Sequence, residues 1–163
     1  MIEIKPIQAH QVDAAKRVMA EVCNEIWKIK PTVDELEATF NENGEFVDLN
    51  NLQNIYFDNN GTFMVIADDD KIVGTGGIKW LDEGICELKK MWILREYRAQ
   101  GWGVKIAQEL LKSARERGYK KVRLELYDPP KQQRAIAFYR ELGFYEIPAY
   151  RNSPAKLCLE KHL

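Results

Sequence analysis

The sequence predicts a mixed α/β fold, with helices on both faces of a central, mostly antiparallel sheet. Three observations carry this. Apolar residues recur at three-to-four-residue spacing over Val12–Trp27, Val104–Ala114 and Gln132–Leu142, the period of amphipathic helices. Between Thr62 and Leu94 the pattern changes to strands separated by tight turns. A strand–helix–strand unit from Ile85 to Tyr127 is long enough for a parallel crossover. The 163 residues suit one domain, 1–163, around a single buried core.

The elements follow in order. Met1–Lys5 alternates and reads as an edge strand. The first helix must stop before Pro31, and Thr32 then caps a second, with Glu35 three residues on and Val33, Leu36 and Phe40 on its apolar face. Asn43-Gly44 ends it, Asp48–Phe57 reads as a further short helix, and Asn59-Asn60-Gly61 as a turn. Strands Thr62–Ala67, Ile72–Trp80 and Ile85–Leu94 form a meander. Helix Gly103–Arg117 closes at Gly118, strand Lys121–Tyr127 is stopped by Asp128-Pro129-Pro130, and helix Gln132–Leu142 closes at Gly143. Phe144–Ala149 and Ala155–Lys161 are the last strands.

Composition excludes several classes. No apolar run is as long as a membrane span, so no membrane partner is expected. Cys23, Cys86 and Cys158 are odd in number and lack motif spacing, which argues against a disulfide framework or a zinc site and favours a reducing, cytoplasmic setting. His10 and His162 lie near the ends, and no metal is expected. With a pI of about 6.2 and no basic-aromatic patch, nucleic acid is not an expected partner. Charge is unevenly spread. Pro31–Asp70 holds Asp34, Glu35, Glu37, Glu42, Glu45, Asp48, Asp58, Asp68, Asp69 and Asp70 and no Lys or Arg, which leaves the remainder basic.

The most informative stretch is Arg98-Ala99-Gln100-Gly101-Trp102-Gly103, between a strand and a helix. A helix start carries unpaired N–H groups and partial positive charge, and glycine lets an anion approach closely. With Arg98 and Lys105 nearby, this forms a pyrophosphate cradle; a plain tight turn has the same local sequence. The Gly-x-x-x-x-Gly-Lys-Ser/Thr of a P-loop is absent, and Ile106 stands where a dinucleotide fingerprint needs a third glycine or alanine.

The run Glu87–Gly103 resembles the signature of the GNAT superfamily of N-acetyltransferases, whose pattern is Arg/Gln-x-x-Gly-x-Gly/Ala after a strand. Ala135–Phe144 is similar to the superfamily's later helix-and-strand block, in the expected order and spacing. The resemblance covers roughly residues 60–150. It implies acetyl-CoA as co-substrate, with the pyrophosphate held by backbone N–H groups from Gln100 through Gly101, Trp102, Gly103 and Val104 to Lys105, next to Arg98 and Ala99. It implies that Met91, Trp92 and Ile93 pair with the pantetheine arm as an added strand would. Gln132 stands where the family often has an asparagine that contacts pantetheine, a departure in side-chain length. The late strands of similar proteins often pair between chains, so a homodimer is a further expectation.

Acetyl transfer needs a neutral amine, and neutralising an amine of pKa ~10.4 at pH 7 costs ~4–5 kcal/mol. Glu87, at the start of the strand assigned to pantetheine, is the expected base. Tyr139 matches the family position that protonates the departing thiolate, with Tyr127 as a second choice. No cysteine or serine sits in a nucleophile context, which favours direct transfer with both substrates bound. The acidic stretch lies where this superfamily lines the acceptor side, so a cationic primary amine is expected as acceptor. The competing functions are a non-catalytic acetyl-CoA sensor and an interaction module whose glycine turn is incidental.

Overall fold

The computed structural model describes all residues, 1–163. Its seven-stranded sheet has the order β1-β2-β3-β4-β5-β7-β6. The strands are β1 (Ile2–Pro6), β2 (Thr62–Asp68), β3 (Lys71–Asp82), β4 (Ile85–Ile93), β5 (Lys121–Leu126), β6 (Tyr145–Ile147) and β7 (Leu157–His162). All neighbours are antiparallel except β4 and β5, which are parallel. The crossover between them carries a helix, as the spacing predicts.

The helices are α1 (Val12–Trp27), α2 (Val33–Asn43), α3 (Leu52–Ile55), α4 (Trp102–Glu116) and α5 (Gln133–Glu141). α1 buries Ala15, Val18, Met19, Val22 and Cys23 against β3 and β4. It ends at Lys28, and the Asn24 side chain pins the following loop through the N–H and carbonyl of Lys30. Thr32 accepts from the Glu35 N–H at 3.2 Å and so caps α2. α4 lies on the opposite face of the sheet, where Leu110 and Ile106 reach Gly76, whereas Tyr56 reaches Gly77 from the α1–α3 side.

The expected Asp48–Phe57 helix is instead a series of single turns, Leu49–Asn51, α3 and Phe57–Asn59. Asp48 bonds the Leu49 N–H and the Tyr56 hydroxyl, which fixes the chain locally rather than by helix propagation. The last strands are shorter or shifted relative to expectation, because residues 148–156 form a loop that turns back toward the middle of the sheet. The three cysteines are buried and unpaired. No helix is long and apolar enough to cross a membrane.

Candidate active site

β4 and β5 pair only over Ile85–Glu87 with Lys121–Arg123, and beyond this they separate. A bulge in β4 accompanies the split. Gly77 faces Lys89 and Thr75 faces Trp92, so Lys90 and Met91 share the place opposite Gly76. Lys90 takes a left-handed φ of 58°, and the Thr75 hydroxyl donates to its carbonyl at 2.6 Å. A bulge bends its strand and re-aims the side chains on it. A Cβ at Gly76 would lie 2.5 Å from the Met91 sulfur and 2.9 Å from Leu110 Cδ1, so any side chain here would displace both. The split opens a cleft of about 800 Å³.

Of the residues expected to hold CoA, Met91, Trp92, Ile93, Arg98, Ala99, Gly101, Gly103, Val104 and Gln132 line this cleft. Gln100, Trp102 and Lys105 do not. Lys105 lies over the Trp102 ring at 4.3 Å. The N–H groups of residues 99–104 have no backbone acceptor; the first helical bond of α4 is from Lys105 N–H to Gly101 carbonyl. Gly101 has φ 88°, caps α4 without a side-chain bond, and leaves open space where a Cβ would stand. The indole N–H of Trp92 is buried without a partner in the cleft wall. Free backbone donors at a helix start and an orphaned indole donor fit an anionic, polar-armed ligand such as CoA.

Arg98 has a different occupation from the one its position suggests. Its guanidinium grips Glu25 of α1 at 2.9 and 2.7 Å, and its Nε donates to the Ile93 carbonyl at 2.8 Å. Its charge is matched by Glu25, and it ties the end of β4 to α1. Gln132 accepts from the N–H groups of Tyr127 and Asp128 through Oε1, at 3.0 and 2.9 Å, so it shapes the end of β5. Nearby, Trp27 donates to Asp128 at 2.7 Å, linking α1 to the far side of the cleft.

Glu87 lies where the two strands part, and it is fully buried. The register sets Lys79, Glu87, Arg123, Glu160 and Tyr145 side by side across β3, β4, β5, β7 and β6. Arg123 and Tyr145 both bond Glu160, at 3.0 and 2.6 Å. The Glu87 Oε2 accepts from the Tyr150 hydroxyl at 2.6 Å and pairs with Arg151, which also reaches Glu125 at 3.0 Å. The Glu87 Oε1 has no hydrogen-bond partner, and Lys89 is 3.9 Å from it. A buried carboxylate held on one oxygen and free on the other can accept a proton from a ligand in the cleft. Tyr150 and Arg151 come from the β6–β7 loop, and no local sequence signal marked them.

Tyr139 also lines the cleft, with its ring held edge-on by Phe138 and Phe144 at 5.3 and 5.5 Å. Burial pushes its phenol well above the ordinary tyrosine value, so it stays a proton donor. Tyr127 lines the cleft as well but is 45% exposed, and burial raises its phenol less.

The acidic stretch does not gather at the cleft. Asp34 and Glu37 bind Arg17, Asp48 binds Tyr56 and Lys90, Asp58 binds Gln53, Asp68 binds Tyr97, and Asp69 binds the terminal amine. Of the ten acids, Glu45 alone lines the cleft. The cationic acceptor expected from this stretch therefore finds no support in where its carboxylates sit.

Comparison with known proteins agrees with this geometry. The model of the acetyltransferase (GNAT) family matches residues 19–144. The chain belongs to the GNAT family. It is 36% identical over 102 residues to the uncharacterized N-acetyltransferase YjgM of Escherichia coli (strain K12), a match covering 61% of this chain and 60% of that protein. Among solved structures, a GNAT-family acetyltransferase from Staphylococcus aureus Mu50 superposes with a TM-score of 0.83 at 21% identity, over 99% of both chains. The PaiA N-acetyltransferase from Thermoplasma acidophilum, solved with coenzyme A, has a TM-score of 0.78 at 17% identity, over 100% of this chain and 99% of that one. These GNAT structures share the fold.

Proposed function

We propose that the protein transfers an acetyl group from acetyl-CoA to a primary amine, directly, with both substrates held in the cleft. The observation that supports this most is Glu87, whose Oε1 has no hydrogen-bond partner, in the same cleft as Tyr139 and the residues whose free N–H groups start α4. The family, the N-acetyltransferase relative and the CoA-bound structural neighbour point the same way.

Bound acetyl-CoA supplies the activated acetyl thioester. The residues of the chain divide the remaining work. N–H groups from Ala99 to Val104 bind the pyrophosphate, and the free edge of Met91–Ile93 orients the pantetheine arm. Glu87 Oε1 takes the amine proton, which unmasks the nucleophilic lone pair. Tyr139 gives its phenolic proton to the departing sulfur. Amine attack forms the C–N bond as the C–S bond breaks; the nitrogen then sheds its second proton, which restores the Tyr139 phenol, and amide and free thiol leave while Glu87 returns its proton to solvent.

The test is thiol release from acetyl-CoA with a panel of amines, alongside calorimetric titration with CoA. Binding with amine-dependent thiol release is the expected result. Binding without thiol release identifies a sensor, and absence of binding sinks both readings.

A further inference from the structure

Beside the main cleft lies a second recess of about 320 Å³, and the two share Glu45, Lys89 and Lys90 in their walls. Three lysines, Lys79, Lys89 and Lys90, line it together with two acids, Glu45 and Asp48. Strand alternation would send Lys89 and Lys90 to opposite faces of the sheet. The bulge with its left-handed Lys90 brings both to one recess. A left-handed lysine is a strained choice, of the kind that persists where a site requires it.

The three cations are unequally matched. Lys90 pairs with Asp48 at 3.5 Å and donates to the Glu45 carbonyl at 3.1 Å, and Lys89 lies 3.9 Å from Glu87, whereas Lys79 has no ion-pair partner. Burial, with the charges of Lys89, Arg151 and Lys90, outweighs the opposing charge of Asp48 and lowers the Lys79 ammonium below the ordinary lysine value. A bound anion would relieve that repulsion. Lys79 is also the direct cross-strand partner of Glu87. Such partners hold their Cβ atoms about 5 Å apart, a separation that an amine and an anionic group a few bonds away can span.

We infer that the Lys79–Lys89–Lys90 recess is an acceptor subsite for an anionic group, so that the acceptor is an amine carrying a carboxylate or similar anion close to its nitrogen. This rests on acetyl transfer at Glu87 as proposed above. The amine faces the Glu87 Oε1 while its anion faces Lys79. The three lysines outnumber the two acids of the recess, which favours the anion of such an acceptor over the second cation of a polyamine.

The experiment compares matched acceptors by thiol release: phenylalanine against 2-phenylethylamine, and lysine against cadaverine. The acid of each pair is expected to show about tenfold higher kcat/KM, mainly through KM, the scale of one charge-assisted hydrogen bond. Lys79→Gln removes the preference and leaves the rate with 2-phenylethylamine within about twofold; Lys79→Arg keeps the preference. Amines without the carboxylate reacting as well as the acids, or Lys79→Gln slowing both members equally, overturns the inference while acetyl transfer stands. A turnover-free arm titrates N-acetylphenylalanine against N-acetyl-2-phenylethylamine with CoA present. Tighter binding of the acid, lost in Lys79→Gln, supports the subsite even if no thiol is released, in which case the transfer reading fails instead. Equal or undetectable binding of the two overturns the subsite.

Discussion

The Tyr150 hydroxyl donates to Glu87 Oε2 at 2.6 Å, across 63 residues of sequence, and leaves Oε1 as the free face of the carboxylate. That bond, with the Arg151 pair on the same oxygen, fixes the orientation of the carboxylate. Tyr150→Phe removes it and is expected to lower kcat by several-fold, with CoA binding retained. Glu87→Gln lowers kcat by about 10²-fold or more, also with CoA binding retained. Steady-state kinetics and calorimetric titration of the three proteins check this, and a normal kcat in Glu87→Gln would remove Glu87 from the role of base.

Tyr139→Phe keeps the ring packing against Phe138 and Phe144 and deletes only the proton donor. The expected outcome is a fall in kcat of about 10²-fold with the KM for acetyl-CoA nearly unchanged. Because burial raises the phenol, the wild-type rate should show no loss from Tyr139 ionisation near pH 10, where an exposed tyrosine titrates. Steady-state kinetics up to pH 10 measure both points.

Arg98 separates two ways of helping CoA bind. If its charge met the pyrophosphate directly, Glu25→Gln would release that charge and tighten CoA binding. The bidentate pair and the bond to the Ile93 carbonyl instead predict that Arg98→Met and Glu25→Gln both weaken CoA by a similar, few-fold factor, because each loosens β4 from α1. A double-mutant cycle on stability should give a coupling of about 1–2 kcal/mol, between the values for exposed and fully buried pairs. Calorimetry and denaturant unfolding read these two effects.

Much of this arrangement is legible in the sequence wherever the signal is local. Thr32 as a cap, Gly101 before α4, and Gly118 and Gly143 after α4 and α5 follow from backbone requirements at single positions. The meander and the parallel crossover follow from period and length. The β4 bulge is less visible, because Gly76 and Lys90 acquire meaning only when β3 and β4 are in register. The partners of Arg98 and Glu87 lie 73 and 63 residues away, and neither pairing has a periodic signature. The acidic stretch misleads for the same reason, since composition counts carboxylates but does not say which of them Arg17, Tyr56 or Tyr97 will take. Asp48 shows the limit most clearly, as its two side-chain bonds replace the regular helix that the local pattern suggests.

Glu160 provides a stability test at the other end of the charged row. Burial acts to raise its pKa, but hydrogen bonds from Tyr145 and Arg123 and the charge of Lys121 outweigh it, and the carboxyl is held below its ordinary value of 4.5. A folded-state value depressed below the unfolded one contributes stability that is fully present above the unfolded value and is lost as pH falls through the folded one. At pH 7, Glu160→Gln should therefore lower Tm by several degrees, since it leaves Arg123 without its partner and loosens β5, β7 and β6 together. As pH falls below the ordinary value of 4.5 and through the lower folded-state one, the wild type loses the same contribution, and the two melting curves should converge. Thermal unfolding followed from pH 7 to pH 3 shows the convergence, and a gap that stays constant across that range would mean that the Glu160 charge contributes nothing to the joint.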